Sequence, residues 1–176
     1  VLAHYRTRPS DLQMMLDRDD ISVYVVRYQG HIVASAWLVN EGEIDDELAQ
    51  AVYEGRRRLK GHLLPQSLLA HVGVEGAGSL RYQRIVRIAV HPVIQHRKIG
   101  QTLLKHCVEQ AQSNGYDIVG TSFAMSNDLV RFWSKSAFEF SRLGIHKDDV
   151  SGNHAVMMLQ GISDRGSSLV LAATHR

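Results

Sequence analysis

The run Arg84-Ile85-Val86-Arg87-Ile88-Ala89-Val90-His91-Pro92-Val93-Ile94-Gln95-His96-Arg97-Lys98-Ile99-Gly100-Gln101-Thr102-Leu103-Leu104 changes its periodicity halfway along. Ile85 to Val90 is a β-branched apolar run as long as a buried strand. Pro92 has no amide hydrogen, so the strand ends before it. From Lys98 onward, Ile99, Leu103, Leu104, Cys107, Val108 and Ala111 recur at helical spacing, and Asn114-Gly115 supplies a left-handed stop. Strand, tight loop and helix therefore meet at Gln95 to Gln101. The helix presents its unpaired N–H groups there, at the positive end of its dipole, which makes an anion site.

Charge around the junction agrees with an anion site. No Asp or Glu lies between Glu75 and Glu109, while Arg81, Arg84, Arg87, Arg97, Lys98 and Lys105 all do. A phosphate arriving at this helix end meets a positive field. The competing account of the same pattern is an ordinary buried strand followed by a helix with a solvated basic end.

Outside this patch the composition is that of a globular domain. The 176 residues suffice for one sizeable core, and a net charge of +2 is too small to argue for nucleic acid by itself. A single cysteine, Cys107, permits no internal disulfide and lies on the apolar helix face, as a core residue does. That suits a reducing compartment, and the cytoplasm is the expected location. No apolar run approaches a membrane span, no signal peptide is visible, and no Gly-x-x-x-x-Gly-Lys-Ser/Thr phosphate loop occurs.

In chain order, Ser10 is placed to cap a helix over Asp11 to Leu16. Ile21 to Tyr28 and Ile32 to Val39 flank Gln29-Gly30 as a β-hairpin. A long insertion follows, at about 40–83. It holds a helix near Ile44 to Tyr53, the basic run Arg56 to Lys60, a second helix started by Pro65 over Gln66 to His71, and a Gly-rich loop from Gly73 to Gly78. After the central strand and helix come a strand over Ile118 to Phe123 and a helix capped by Ser126 or Asn127. Phe138 to Ile145 and Ala155 to Leu159 close as an antiparallel pair. This order gives an α+β fold with a mixed sheet. The start at Val1 and the apolar end Leu169 to Ala173 lead us to expect a single domain, residues 1–176, cut from a longer multidomain protein.

At the junction the chain resembles the GNAT acetyltransferase superfamily, whose signature Gln/Arg-x-x-Gly-x-Gly/Ala reads here Gln95-His96-Arg97-Lys98-Ile99-Gly100. The second glycine is kept and the first is Lys98. More specifically, the chain resembles the RNA cytidine acetyltransferases of the tRNA(Met) cytidine type. Four blocks in order carry that resemblance: His4-Tyr5-Arg6 with Pro9-Ser10-Asp11-Leu12; Gly61 to Ser67; Arg87 to Pro92; and Ser122-Phe123 through Asp128-Leu129, Arg131-Phe132-Trp133 and Phe138.

The resemblance implies a mostly antiparallel GNAT-like sheet with flanking helices and a splayed central strand pair. It implies acetyl-coenzyme A as cofactor, its pantetheine arm along Ile88, Ala89 and Val90 and its pyrophosphate at Gln95, His96, Arg97, Lys98, Ile99, Gly100 and Gln101. Asp128 and Lys135 are carried over beside the cofactor, whereas Arg131 of the same helix stripe reads as a solvated face. A side chain at Lys98 either crowds the phosphates or binds them through its ammonium. Trp133 stands where many GNAT enzymes keep a tyrosine acid, and indole donates no proton usefully at neutral pH.

Cytidine N4 is a weakly basic amine, so a base removes its proton as attack proceeds. His91, just beyond the splayed strand, suits that task, and a histidine donating to a loop carbonyl is its plain alternative. His4 and Tyr5 are the alternative pair. No trusted metal-ligand spacing occurs among the histidines, and no metal is expected. Arg56 to Lys60 suit RNA phosphates or a neighbouring module. The expected partners are tRNA or other RNA and the family's helicase-like and RNA-binding modules. ATP is expected only for the helicase-like module.

The expected activity is acetyl transfer from acetyl-coenzyme A to N4 of an RNA cytidine, the tRNA(Met) wobble position being the natural target. A GNAT enzyme acting on a protein or small-molecule amine is the first rival. A non-catalytic acyl-coenzyme A binding module, which Lys98 keeps in play, is the second.

Overall fold

In the computed structural model, residues 9–147 and 152–175 are described. The elements are α1 (Pro9–Leu16), β1 (Ile21–Tyr28), β2 (His31–Gly42), α2 (Asp46–Tyr53), α3 (Leu63–Ser67), β3 (Arg81–Val90), α4 (Ile99–Ser113), β4 (Ile118–Ala124), α5 (Asn127–Ser134), β5 (Glu139–Lys147), β6 (His154–Gly161) and α6 (Asp164–Thr174). The strands form one sheet in the order β1-β2-β3-β4-β6-β5. Among the described strands only β3 and β4 run parallel, joined by the crossover helix α4. The α+β architecture and the mostly antiparallel mixed sheet thus stand as the sequence implied.

Alternation along the strands sends side chains to two cores. On one face Ala34, Ala36, Leu38, Ile85, Val119, Val156 and Met158 meet Leu103, Leu104 and Cys107 of α4 and Trp133 of α5. On the other face Tyr82, Ile118, Met157 and Leu159 meet Val52 of α2, Leu64 of α3, and Leu169 and Val170 of α6. Burial of such side chains contributes about 1.5–3 kcal/mol each.

Several boundaries differ from the sequence reading. β3 begins at Arg81 rather than Ile85, because the two arginines ahead of Ile85 each find a partner. Arg81 lies 4.4 Å over the Tyr116 ring, and Arg84 pairs with Glu41. α2 begins at Asp46, since Asp45 Oδ1 accepts from Leu48 N and caps it, leaving Ile44 buried just outside. Pro65 sits in the first turn of α3 rather than ahead of it, and a π-helical turn over Leu68–Val72 continues the helix. The basic run Arg56 to Lys60 lies in the loop beyond α2, where Arg56 pairs with Glu54.

The segment between β2 and β3 folds back over the sheet. Gly42 has φ +96, and a Cβ there would sit 1.9 Å from the Leu80 carbonyl oxygen, so glycine is required. Its N–H donates to His62 Nδ1 at 3.0 Å, which anchors the start of α3. Among the described residues no helix is long and apolar enough to cross a membrane.

Candidate functional site

β3 and β4 share four rungs, from Tyr82–Ile118 to Ile85–Thr121, and then part. Beyond that rung β3 pairs only with β2, as far as Val90, and β4 only with β6, as far as Ala124. The splayed pair therefore opens between Val86–Val90 on one lip and Ser122–Ala124 on the other. Its cause lies in the register: between the pairs Leu38–Ile85 and Trp37–Arg87, β3 carries one extra residue, Val86. Such a bulge bends its strand and leaves the extra residue without a ladder partner. Ile88 and Val90 pack toward the α4 core, so the lip's side chains hold it while its edge faces the gap.

The loop at the end of β3 is tied down at both ends. His91 N donates to Val33 O at 2.8 Å, and Gln95 Nε2 donates back to Val90 O at 3.1 Å. His91 Nδ1 accepts from Val93 N at 3.3 Å. A neutral imidazole has one acceptor nitrogen, and here it serves the loop, leaving Nε2 as the protonated one. As placed, exposed His91 caps the loop, the plain alternative that the sequence reading set beside a base. The Gln95 amide also closes the loop, through its Nε2.

His96 and Lys98 both take left-handed backbone, at φ +62 and +63. This explains the glycine that the superfamily signature places at Lys98: a Cβ there costs about 1–2 kcal/mol. Lys98 is the N-cap of α4, and its carbonyl accepts from Thr102 N and Oγ1. Left-handed and right-handed residues in succession gather N–H groups into a concavity suited to an anion. Ile99, Gly100 and Gln101 add the helix's first N–H groups, which have no carbonyl ahead of them. Arg97 and Lys98 are exposed beside this concavity.

At Gly100 a Cβ would stand 3.3 Å from both Phe132 Cε2 and Val90 Cγ2. The missing side chain serves close packing of α4, α5 and β3 as well as approach by a ligand. Trp133, 3% exposed, is packed among Phe123, Phe132 and Phe138 and belongs to the core. Cys107 is fully buried, and burial pushes its thiol up to about 12, so it is no nucleophile.

Asp128 and Lys135 stand two turns apart along one stripe of α5. Asp128 is exposed in the first turn of α5, while Lys135 caps the other end, about 10 Å away at 1.5 Å per residue. Lys135 instead shares a cleft of about 430 Å³ with Gln101, Lys105 and Glu109 of α4 and with Gln160. His4 and Tyr5 lie outside the described residues. No group of three or more His, Cys, Asp or Glu side chains among the described residues is placed to hold a metal.

Three features escaped the sequence reading: the Val86 bulge, Thr121 at the apex of the gap, and a buried carboxylate beneath it. Glu41, with no exposed side-chain surface, accepts from Arg84 Nε at 2.5 Å and from Leu64 N, at the start of α3, at 2.8 Å. Glu41 lies beyond the strand read over Ile32 to Val39, and its partners Leu64 and Arg84 are distant in sequence.

A tRNA(Met) cytidine acetyltransferase of Nitrosococcus halophilus is 44% identical over the whole chain and 24% of its own length. The Haemophilus influenzae protein of that name is 40% identical over 96% of the chain and 25% of its own length. The chain thus spans about a quarter of the length of the curated relatives it matches. Among solved structures, Arabidopsis thaliana NAA60 in complex with acetyl-CoA superposes with TM-score 0.61 at 14% identity, over 89% of this chain and 85% of that one. The Escherichia coli ribosomal-protein-S18-alanine N-acetyltransferase gives 0.59 at 13%, over 90% and 79%. These distant likenesses concern the fold. A sequence model of the GNAT acetyltransferase 2 family matches residues 1–109 and 93–163, two overlapping segments that take in the gap, the loop and both helices around them. On a match of that extent, the chain belongs to the GNAT acetyltransferase 2 family.

Proposed function

We propose that this chain transfers an acetyl group from acetyl-coenzyme A to N4 of a cytidine in tRNA, the wobble cytidine of tRNA(Met) being its target. The observation that carries the reading is the parted β3–β4 pair ending in the left-handed loop at the head of α4. The relatives that match the whole chain supply the acceptor class through their names.

The residues present fit the cofactor. The edge of Val86–Val90, free of β4, takes an amide-bearing arm as a sheet takes an added strand, with Ile88, Ala89 and Val90 offering the backbone groups. The N–H concavity over His96 to Gln101 takes the pyrophosphate, with Arg97 and Lys98 supplying positive charge. Gln95 holds that loop against β3. Lys135 and Gln101, in one cleft, serve the far part of the molecule, and Asp128 stands at the α5 end beside the β4 lip.

Bound acetyl-coenzyme A supplies the activated acyl group. The chain's own contribution is to hold that group at the apex near Thr121 and to donate an N–H from the bulged lip to the oxygen that gains charge. The proton from N4 goes to solvent or to the pair His4 and Tyr5, since His91 is engaged by Val93. RNA enters with help from exposed Arg56 to Lys60, and the wider protein's helicase-like and RNA-binding modules present the substrate in the cytoplasm. ATP belongs to the helicase-like module alone.

The intact protein, incubated with acetyl-coenzyme A and tRNA, is expected to form N4-acetylcytidine detectable by nucleoside mass spectrometry. RNA from cells lacking the gene should lose that nucleoside. Unchanged N4-acetylcytidine in those cells defeats the reading.

A further inference from the structure

The two faces of β2 differ sharply beside the gap. Ala34, Ala36 and Leu38 are buried against α4. On the opposite face Val39 and Glu41 are covered, Glu41 by the start of α3. Trp37, on that same face, is where the cover stops. It is half-buried, belongs to neither apolar cluster and stacks on no other ring among the described residues.

Its neighbours in register make a row across three strands. Val23 of β1, 37% exposed, pairs with Trp37 on one side, and Arg87 of β3 pairs with it on the other. Arg87 is half-buried and has no salt bridge or side-chain hydrogen bond among the described residues. The next row outward is Val25, 40% exposed, with Ser35 and Ala89. An open indole therefore lies next to an unengaged guanidinium, one strand away from the gap that begins at Ile85 and Thr121.

A single exposed apolar residue needs no explanation. Here three properties coincide: an aromatic face without a stacking partner among the described residues, a cation directly beside it, and continuity with the place of acyl transfer. A nucleobase matches all three, since any base offers a π-face and a nucleotide brings negative charge. An amine on a protein would bring positive charge beside Arg87, whose guanidinium repels it. The acceptor must also leave its stack to be reached, and an aromatic platform is how proteins hold a base once it is out.

We propose that Trp37 is the stacking platform for the acceptor base, an unpaired cytosine of RNA, with Arg87 alongside as its cationic partner. This rests on the acyl-transfer reading above and adds where the acceptor sits. Val23 and Val25 edge the platform, and the base reaches N4 toward the bulged lip of β3.

The test uses the intact protein with acetyl-coenzyme A and tRNA, comparing wild type, Trp37→Leu and Trp37→Phe. Leucine keeps apolar bulk and removes the ring, whereas phenylalanine keeps a ring. Trp37→Leu should lower kcat/KM for tRNA by about tenfold or more, in line with the loss of one base stack. Trp37→Phe should recover most of that loss, and acetyl-coenzyme A affinity by calorimetry should be unchanged in both. Activity of Trp37→Leu within twofold of wild type overturns the proposal, as does equal loss in both variants. Should Trp37→Leu fail to fold, wild-type protein is irradiated with tRNA carrying 5-bromocytidine at the acetylated position. Attachment to Trp37, mapped by peptide mass spectrometry, supports the platform, and attachment elsewhere overturns it. A wild type that acetylates no tRNA cytidine defeats both readings, while an active wild type with indifferent variants defeats only this one.

Discussion

Thr121 Oγ1 donates to the carbonyl oxygen of Ile85 across 3.3 Å, on the last rung that β3 and β4 share. The bond is buried and stands at the apex of the gap, where it fixes how far the lips part. Thr121→Val keeps the shape and removes the donor, and should cost about 1 kcal/mol, read as a lower denaturant midpoint. Acetyl-coenzyme A affinity should fall several-fold with it. A variant unchanged in both measurements would show that the hydroxyl does nothing at the apex.

Lys98 keeps a left-handed backbone that glycine adopts freely. Lys98→Gly trades a left-handed penalty of about 1–2 kcal/mol for a glycine entropy cost of about 0.5–1 kcal/mol, so the variant should be the more stable. The exposed ammonium should matter to acetyl-coenzyme A only as a screened charge, giving an affinity loss that shrinks with added salt. Calorimetry at two ionic strengths checks this. A large loss indifferent to salt would mean that the side chain makes a contact other than a charge pairing.

His91→Ala should reduce kcat less than tenfold, far short of the 10²–10⁴-fold typical of a general base. Its Nδ1 is spent on Val93 N, so the expected effect is a looser loop and somewhat weaker acetyl-coenzyme A binding. Steady-state kinetics on tRNA decides. A hundredfold fall in kcat with unchanged cofactor affinity would return the proton to His91.

The pKa of His71 lies below that of an ordinary histidine, first because its ring is partly desolvated and then because Arg142 and Arg58 oppose a further positive charge. The folded state therefore favours the neutral ring, and the unfolded chain binds the proton more readily. Stability from this group is complete above the unfolded value of about 6.5 and is lost as pH falls below it, toward the lower folded value. His71→Gln should flatten the decline in urea midpoint on going from about pH 7.5 to about pH 5.5, a window that brackets the unfolded value. An equally steep decline in the variant would assign it to other groups.

The strand, loop and helix from Ile85 to Ser113 were legible because each rests on local pattern: a β-branched run, a proline and apolar spacing. The Asn114-Gly115 stop was legible for the same reason, with Gly115 at φ +75. Arg81 to Arg84 hid the start of β3, since their partners Tyr116 and Glu41 are distant in sequence. The Val86 bulge could not be read at all: it exists only relative to β2. Asp128 and Lys135 share a helical stripe, but which end of α5 meets the loop depends on packing against α4. Trp37 looked like one more strand residue, because spacing does not reveal which face the insertion leaves open.

The covered carboxylate of Glu41 has a mechanical consequence. It is the joint between the arm of residues 43–80 and the floor beneath the gap, since one oxygen holds Leu64 N and the other holds Arg84 Nε. Arg84 is one residue short of the final rung at Ile85. A load that shifts α3 therefore reaches the strand that splays through this carboxylate, beside the link that the Gly42–His62 bond makes to β2.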